Sequence, residues 1–210
     1  MSRWGFLKVK CALCGKESIQ RHIFSWFFSG GLRGLDLRHI GKIPIPLNCL
    51  IQRCPYCGYC STDISKGGRK IKKIVMSSEY QRQLKDERFP GLSNSFLCHS
   101  LIQEKMGNYN KAGFAALRAA WVSDDASERC RERALELFKE ARRKGQRFAN
   151  SKLEEDIILI DLLRRTRKFK LAGRILMEQR EKVSKVLLKI LKTAKKLIKK
   201  KDSSPYYIKV

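Results

Sequence analysis

Two Cys-x-x-Cys-Gly runs, Cys11-Ala-Leu-Cys14-Gly15 and Cys54-Pro55-Tyr56-Cys57-Gly58, stand 39 residues apart in this chain. Two residues between cysteines let one tight turn aim both sulfurs at a tetrahedral ion, and the glycine that follows tolerates the left-handed backbone such a turn needs. The matched pair predicts one structural zinc ion held by Cys11, Cys14, Cys54 and Cys57. A closed four-cysteine site leaves no open position for a substrate, so these residues point to architecture and not to catalysis. Cys60, three residues beyond Cys57, competes as a ligand on spacing alone.

The knuckles set the reading of the first third. Short apolar stretches, Phe6-Leu7-Lys8-Val9 and Ile19 to Phe28, broken by Gly30-Gly31 and Gly34, suit strands and turns better than helices. Pro44 and Pro46 hold the approach to the second knuckle extended. Residues 1–65 are therefore expected to form a small zinc ribbon, and the glycine-containing run 66–77 a linker.

From residue 78 the pattern turns helical. Segments are expected at 78–86, 92–106 and 111–123, the last rich in alanine (Ala112, Ala115, Ala116, Ala119, Ala120) so that another helix can approach closely. Asp125-Ala126-Ser127-Glu128 and Ser151-Lys152-Leu153-Glu154 read as capping boxes opening two more helices. A final helix is expected over about 170–201, with Val183, Val186, Leu187, Ile190, Leu191, Ala194, Leu197 and Ile198 as its apolar stripe and lysine elsewhere. Such a stripe packs on a bundle, lies on an anionic membrane or binds a partner helix. The expected fold is mainly α, α+β overall: ribbon at 1–65, linker at 66–77, antiparallel helical array at 78–201 and a tail at 202–210.

The net charge of +26 is uneven. Residues 1–73 carry +11 and residues 164–201 carry +14, whereas 74–163 are nearly balanced at +1. A uniform taste for lysine would have tilted the middle too, so the ends are candidate surfaces for phosphate backbones or an acidic partner. Arg21, Arg33, Arg38, Lys42 and Arg53 near the ribbon, and Lys192, Lys195 and Lys196 in the last helix, are the candidate contacts. Phe24, Trp26 and Phe28 either stack on bases beside those cations or line a small ribbon core.

Catalytic constellations do not emerge. His22, His39 and His99 have no metal or triad spacing, and Gly30-Gly31 and Gly67-Gly68 lack the lysine and hydroxyl of a phosphate loop. Glu154, Glu155 and Asp156 sit where a helix dipole wants negative charge. Asp36 and Arg38 read as braces of the inter-knuckle loop, and Cys98 and Cys130 as small buried apolar groups. No apolar run approaches the roughly 18 residues of a membrane span. With knuckle cysteines and no secretory start, a reduced cytoplasmic setting is expected.

Gly107-Asn108-Tyr109-Asn110-Lys111-Ala112 and Arg167-Lys168-Phe169-Lys170-Leu171-Ala172 look like one unit used twice, similar to the inter-helix turn of tetratricopeptide repeats. Together with Cys57-Gly58-Tyr59-Cys60, Ala120-Trp121 and Leu162-Leu163-Arg164-Arg165, the knuckles resemble the uncharacterised prokaryotic family called domain of unknown function 2225 and related hypothetical proteins. That resemblance implies a zinc ribbon plus TPR-like helices, with Cys11, Cys14, Cys54 and Cys57 as ligands and no established activity. Ala12 and the strongly cationic last helix depart from it. The expected role is a non-enzymatic zinc-binding adaptor with an unidentified protein partner; the alternative is a protein that binds RNA or DNA through its charged ends. No small-molecule substrate is expected.

Overall fold

A computed structural model describes residues 3–27, 31–41, 46–89, 91–122, 127–179 and 184–209. Among them are seven short strands and eight α-helices, so the protein is mainly α with small sheets, α+β overall. Two compact units divide the chain: Met1–Phe27 with Ile45–Leu137, and Phe28–Pro44 with Phe138–Val210.

In the first unit β1 (Arg3–Lys10) pairs antiparallel with β2 (Glu17–Ser25), from Lys10 opposite Glu17 to Trp4 opposite Ile23. A second, shorter hairpin is built of β5 (Gln52–Arg53) and β6 (Cys60–Ser61). Gln20, buried on β2, donates to the Arg53 carbonyl at 3.1 Å, while Gln52 accepts from the Ile64 amide at 2.9 Å. Helices α1 (Arg69–Val75), α2 (Ser78–Leu84) and α3 (Gly91–Lys105) follow, and Ser77 caps α2 through the Tyr80 amide. Helix α1 lies inside the segment expected to be a linker. Gly67-Gly68 does precede it, and Ile71, Ile74 and Val75 pack into the same core as the knuckles.

Helix α3 and α4 (Tyr109–Val122) form a close antiparallel pair. Ala112, Ala115, Ala116, Ala119 and Ala120 are all buried, and the closeness lets two serines of α3 reach α4. Ser100 donates to the Ala112 carbonyl at 2.8 Å and Ser93 to that of Ala119 at 3.0 Å. Cys98 and Cys130 are buried, as expected of small apolar groups. Helix α5 (Ser127–Arg143) ends at Gly145, in the left-handed region with φ 69°. Asp125 and Ala126 of the expected capping box lie outside the described residues.

The second unit gathers distant segments. Strands β3 (Gly31–Gly34), β4 (His39–Gly41) and β7 (Tyr207–Lys209) make one antiparallel sheet in the order β4-β3-β7. The stretch between the knuckles thus pairs with the segment read as a tail, a pairing no local pattern announces. Helix α6 (Lys152–Arg165) packs against α7 (Phe169–Met177) and α8 (Lys185–Lys199). Ile157, Ile160, Ile190, Ala194 and Leu197 meet Leu35 and Ile208 in its core. The single helix expected over 170–201 is instead two, α7 and α8; Val183 lies outside the described residues. Glu178 and Gln179 already leave the helical ladder, and Ser184 starts α8 by accepting from the Leu187 amide. Ser151 caps α6 as expected, accepting from the Glu154 amide at 3.1 Å.

Candidate metal centre

The two knuckles are built alike. The amide of the first cysteine donates to the carbonyl five residues on, Cys11 to Lys16 and Cys54 to Tyr59, both at 2.9 Å. The glycine amide returns to the first cysteine, Gly15 to Cys11 at 2.9 Å and Gly58 to Cys54 at 3.0 Å. Both glycines are left-handed, with φ 74° and 71°, which is the conformation the sequence asked of them.

The four sulfurs lie within 4.8 Å of one another. Across the knuckles, Cys11 Sγ is 3.8 Å from Cys57 Sγ and Cys14 Sγ is 3.6 Å from Cys54 Sγ. A tetrahedron of sulfurs about 2.3 Å from a central ion has edges of about 3.8 Å, so the donor set fits one metal ion. Cys11 and Cys54 are buried, Cys57 is half-buried and Cys14 reaches the surface. Burial pushes the Cys11 and Cys57 thiols up, whereas the Lys16 backbone amide pulls Cys14 down. An arriving cation must displace protons from the buried thiols, which makes affinity pH-dependent. Cys60 is not in the cluster: its sulfur turns to the Gly58 carbonyl at 3.3 Å.

The second knuckle is fastened by side chains that local spacing did not single out. Tyr80 of α2, fully buried, donates from its hydroxyl to the Gly58 carbonyl at 2.8 Å and accepts from the Cys60 amide at 3.1 Å. Tyr59 donates to the Lys66 carbonyl at 2.7 Å. His99 Nδ1 donates to the Cys60 carbonyl at 3.3 Å, and burial lowers that imidazole to about 4. Gly58 faces the methyl groups of Leu84, where an added Cβ would stand 2.3 Å from Cδ2. In sequence Tyr80 is one aromatic in a short helix, and its partners Gly58 and Cys60 lie 22 and 20 residues away.

The cationic candidates fall in both units. Arg21 on β2 and Arg53 on β5 are exposed in the first. In the second, Arg33 lies half-buried on β3 with its Nε unpartnered, and Arg38 follows the turn that Asp36 braces by accepting the Arg38 amide at 3.1 Å. Lys192, Lys195 and Lys196 are exposed on α8, and Lys42 lies outside the described residues. Of the aromatics, Phe24 is exposed and Trp26 half-buried, while Phe28 lies outside the described residues.

The acids of α6 do more than meet a helix dipole. Glu155 accepts from Arg147 at 2.8 Å and from the Phe148 amide at 3.1 Å, and Asp156 pairs with Arg142 at 2.8 Å. Among the described residues no other His, Cys, Asp or Glu set gathers as the four cysteines do, and no helix is long and apolar enough to cross a membrane. Comparison with protein-family models, curated proteins and solved structures gives no match.

Proposed function

We propose that this chain is a non-enzymatic, cytoplasmic adaptor in which Cys11, Cys14, Cys54 and Cys57 hold one structural zinc ion and a TPR-like helical array receives a protein segment. The observation that carries the zinc assignment is the sulfur geometry: the edges of 3.8 and 3.6 Å across the knuckles fit a tetrahedral ion, and zinc is the redox-inert choice for four thiolates. Support for the array comes from its turns. Gly107 and Arg167 are both left-handed, with φ 80° and 57°, and Asn108 and Lys168 close the preceding helices with like bonds, to the Gln103 and Leu163 carbonyls at 2.8 and 2.7 Å. In the first unit a cleft of about 550 Å³ between α2, α3 and α5 has Leu97 and Leu101 on its floor and Arg82, Asp86 and Arg129 at its rim. That mixture suits an extended peptide with charged side chains.

The test is affinity capture of the tagged full chain from its native lysate, split into nuclease-treated and untreated halves. A defined protein that survives nuclease and is lost with Arg82→Glu and Arg129→Glu sustains the adaptor; a captured set that vanishes with nucleic acid removes it. Metal analysis of the same preparation must give one zinc per chain.

A second reading has its own observation: Lys192, Lys195 and Lys196 stay exposed on α8 although Ile190, Ala194 and Leu197 of that helix are buried. The apolar stripe is thus in use while the lysines face solvent, as phosphate contacts require. Affinity for RNA or DNA would then fall linearly with log salt, with a slope that shrinks when the three lysines become glutamine.

A further inference from the structure

The β1–β2 ribbon wears its largest apolar side chains on the outside. Strand alternation and the observed register put Trp4, Phe6 and Lys8 on one face together with Ile19 and Arg21. Trp4 is 49% exposed, Phe6 58% and Ile19 65%. The knuckle end of the opposite face meets the interior, Gln20 buried on the Arg53 carbonyl and Val9 packed against the knuckle core, whereas Leu7 and Phe24 on that face are exposed. The outer aromatics are therefore not the underside of a core.

Their arrangement is ordered. The Trp4 and Phe6 rings stand edge to face with centroids 6.3 Å apart. The Arg21 guanidinium lies 5.6 Å from the Trp4 centroid and 5.5 Å from that of Phe6, a cation lodged between two neighbouring π systems. Residues 3–25 carry five basic groups against the single acid Glu17, which Lys8 already pairs at 2.6 Å. Hence an occupant must bring flat apolar faces and negative charge at short, alternating intervals.

We propose that this face binds single-stranded nucleic acid, bases stacking on Trp4 and Phe6 while Arg21 meets the phosphate between them. The inference rests on the second reading above and adds to it a place and a substrate form. A duplex keeps its base faces stacked on each other and offers none to a flat ribbon, whereas a single strand offers one per nucleotide. Neither ring reads a particular base, so binding is tolerant of sequence.

The experiment is fluorescence anisotropy of the full chain with labelled oligo-dT and oligo-rU of about 15 nucleotides, and with a duplex of the same length, over a salt series. The expected result is tighter binding of the single strands than of the duplex, and a loss of about ten- to a hundredfold when Trp4→Leu and Phe6→Leu are combined. That variant must keep the parent's metal content and circular dichroism, and its salt slope should be unchanged. As a check independent of that fold, Trp26→Phe with Trp121→Phe leaves Trp4 as the one indole, whose emission should be quenched as oligonucleotide is added. The dT and rU arms separate DNA from RNA; a clear preference for either sustains the proposal.

Equal binding by the Trp4/Phe6 variant, a duplex held as tightly as a single strand, or unchanged Trp4 emission overturns it. So does sedimentation showing a dimer of this chain that the same variant dissolves, because the face would then belong to a second copy. Binding that responds to salt and to the α8 lysines but ignores Trp4 and Phe6 ends this inference and leaves the second reading standing; no binding of any nucleic acid ends both.

Discussion

The knuckles of the first unit and the β7 strand of the second solve the same problem by opposite means. Each must tie a short β element, with too little apolar surface to hold itself, to helices that have plenty. In the first unit the tie is four thiols brought within 4.8 Å of each other. In the second it is Arg164, fully buried on α6. Its Nε and Nη2 donate to Asp161 Oδ1 at 3.1 and 2.7 Å, and its Nη1 donates to the Asp202 and Ser204 carbonyls at 2.9 and 2.8 Å, just ahead of β7. A guanidinium carries its charge at every accessible pH and needs nothing from outside the chain. Thiols need an ion and must lose protons to take it. With an ion in the proposed site the first unit's tie depends on that ion, whereas the Arg164 tie of the second is made wholly within the chain.

The largest expected effect breaks the first tie. Combining Cys11→Ser and Cys54→Ser, or adding a strong chelator, should release the proposed zinc and unfold the β hairpins, a change on the order of 10 kcal/mol. Helical circular dichroism from the second unit should persist. Retention of one equivalent of metal by the double variant would refute the assigned ligand set. Next comes Arg164→Met, which strands the buried Asp161 and frees the chain before β7, at a cost of about 4 kcal/mol in the second unit. Combining it with Asp161→Leu should recover much of that in denaturant titrations followed unit by unit, and metal content should not change.

A pH series sharpens the contrast. His99 is neutral when folded, near 4, against about 6.5 unfolded. Between those values the unfolded chain binds the extra proton, so the contribution is complete above about pH 6.5 and is lost as pH falls toward 4, about 3 kcal/mol in all. His99→Gln should reduce the slope across this window in urea melts, the remainder coming from His39, which burial also lowers, and from ion-paired carboxylates such as Glu17. Among the glycines, Gly58→Ala meets both a left-handed backbone and Leu84 and should cost about 3 kcal/mol, whereas Gly15→Ala meets the backbone penalty alone, about 1 kcal/mol. Equal losses in thermal melts would mean that α2 does not brace the second knuckle. Smallest is Arg167→Gly, which relieves a left-handed arginine and should stabilise by about 1 kcal/mol, while Gly107→Ala at the matching turn should lose a similar amount.

Sequence alone determined whatever follows from neighbours a few residues apart. The Cys-x-x-Cys-Gly spacing contains the whole turn, so the paired knuckles and their left-handed glycines were legible at once. Ser77 and Ser151 illustrate the rest of that class: Ser151 was read directly as a cap, and Ser77 caps a helix placed within two residues of its observed end. The alanines of α4 likewise announced close packing. Everything decided by distant partners was not legible. That Tyr80 would hold Gly58, that Arg164 would hold Ser204, and that residues 31–34 would pair with 207–209 depends on contacts 22, 40 and more than 170 residues apart in the chain. A strand of three or four residues has too weak a local pattern to choose its partner, and a buried arginine looks like a surface one until its acceptors are in place. The helix at 170–201 divided on a local signal that a single-helix reading passes over: Glu178-Gln179-Arg180-Glu181-Lys182 interrupts the apolar positions, α7 ends just before it at Met177, and Ser184 caps α8 afresh.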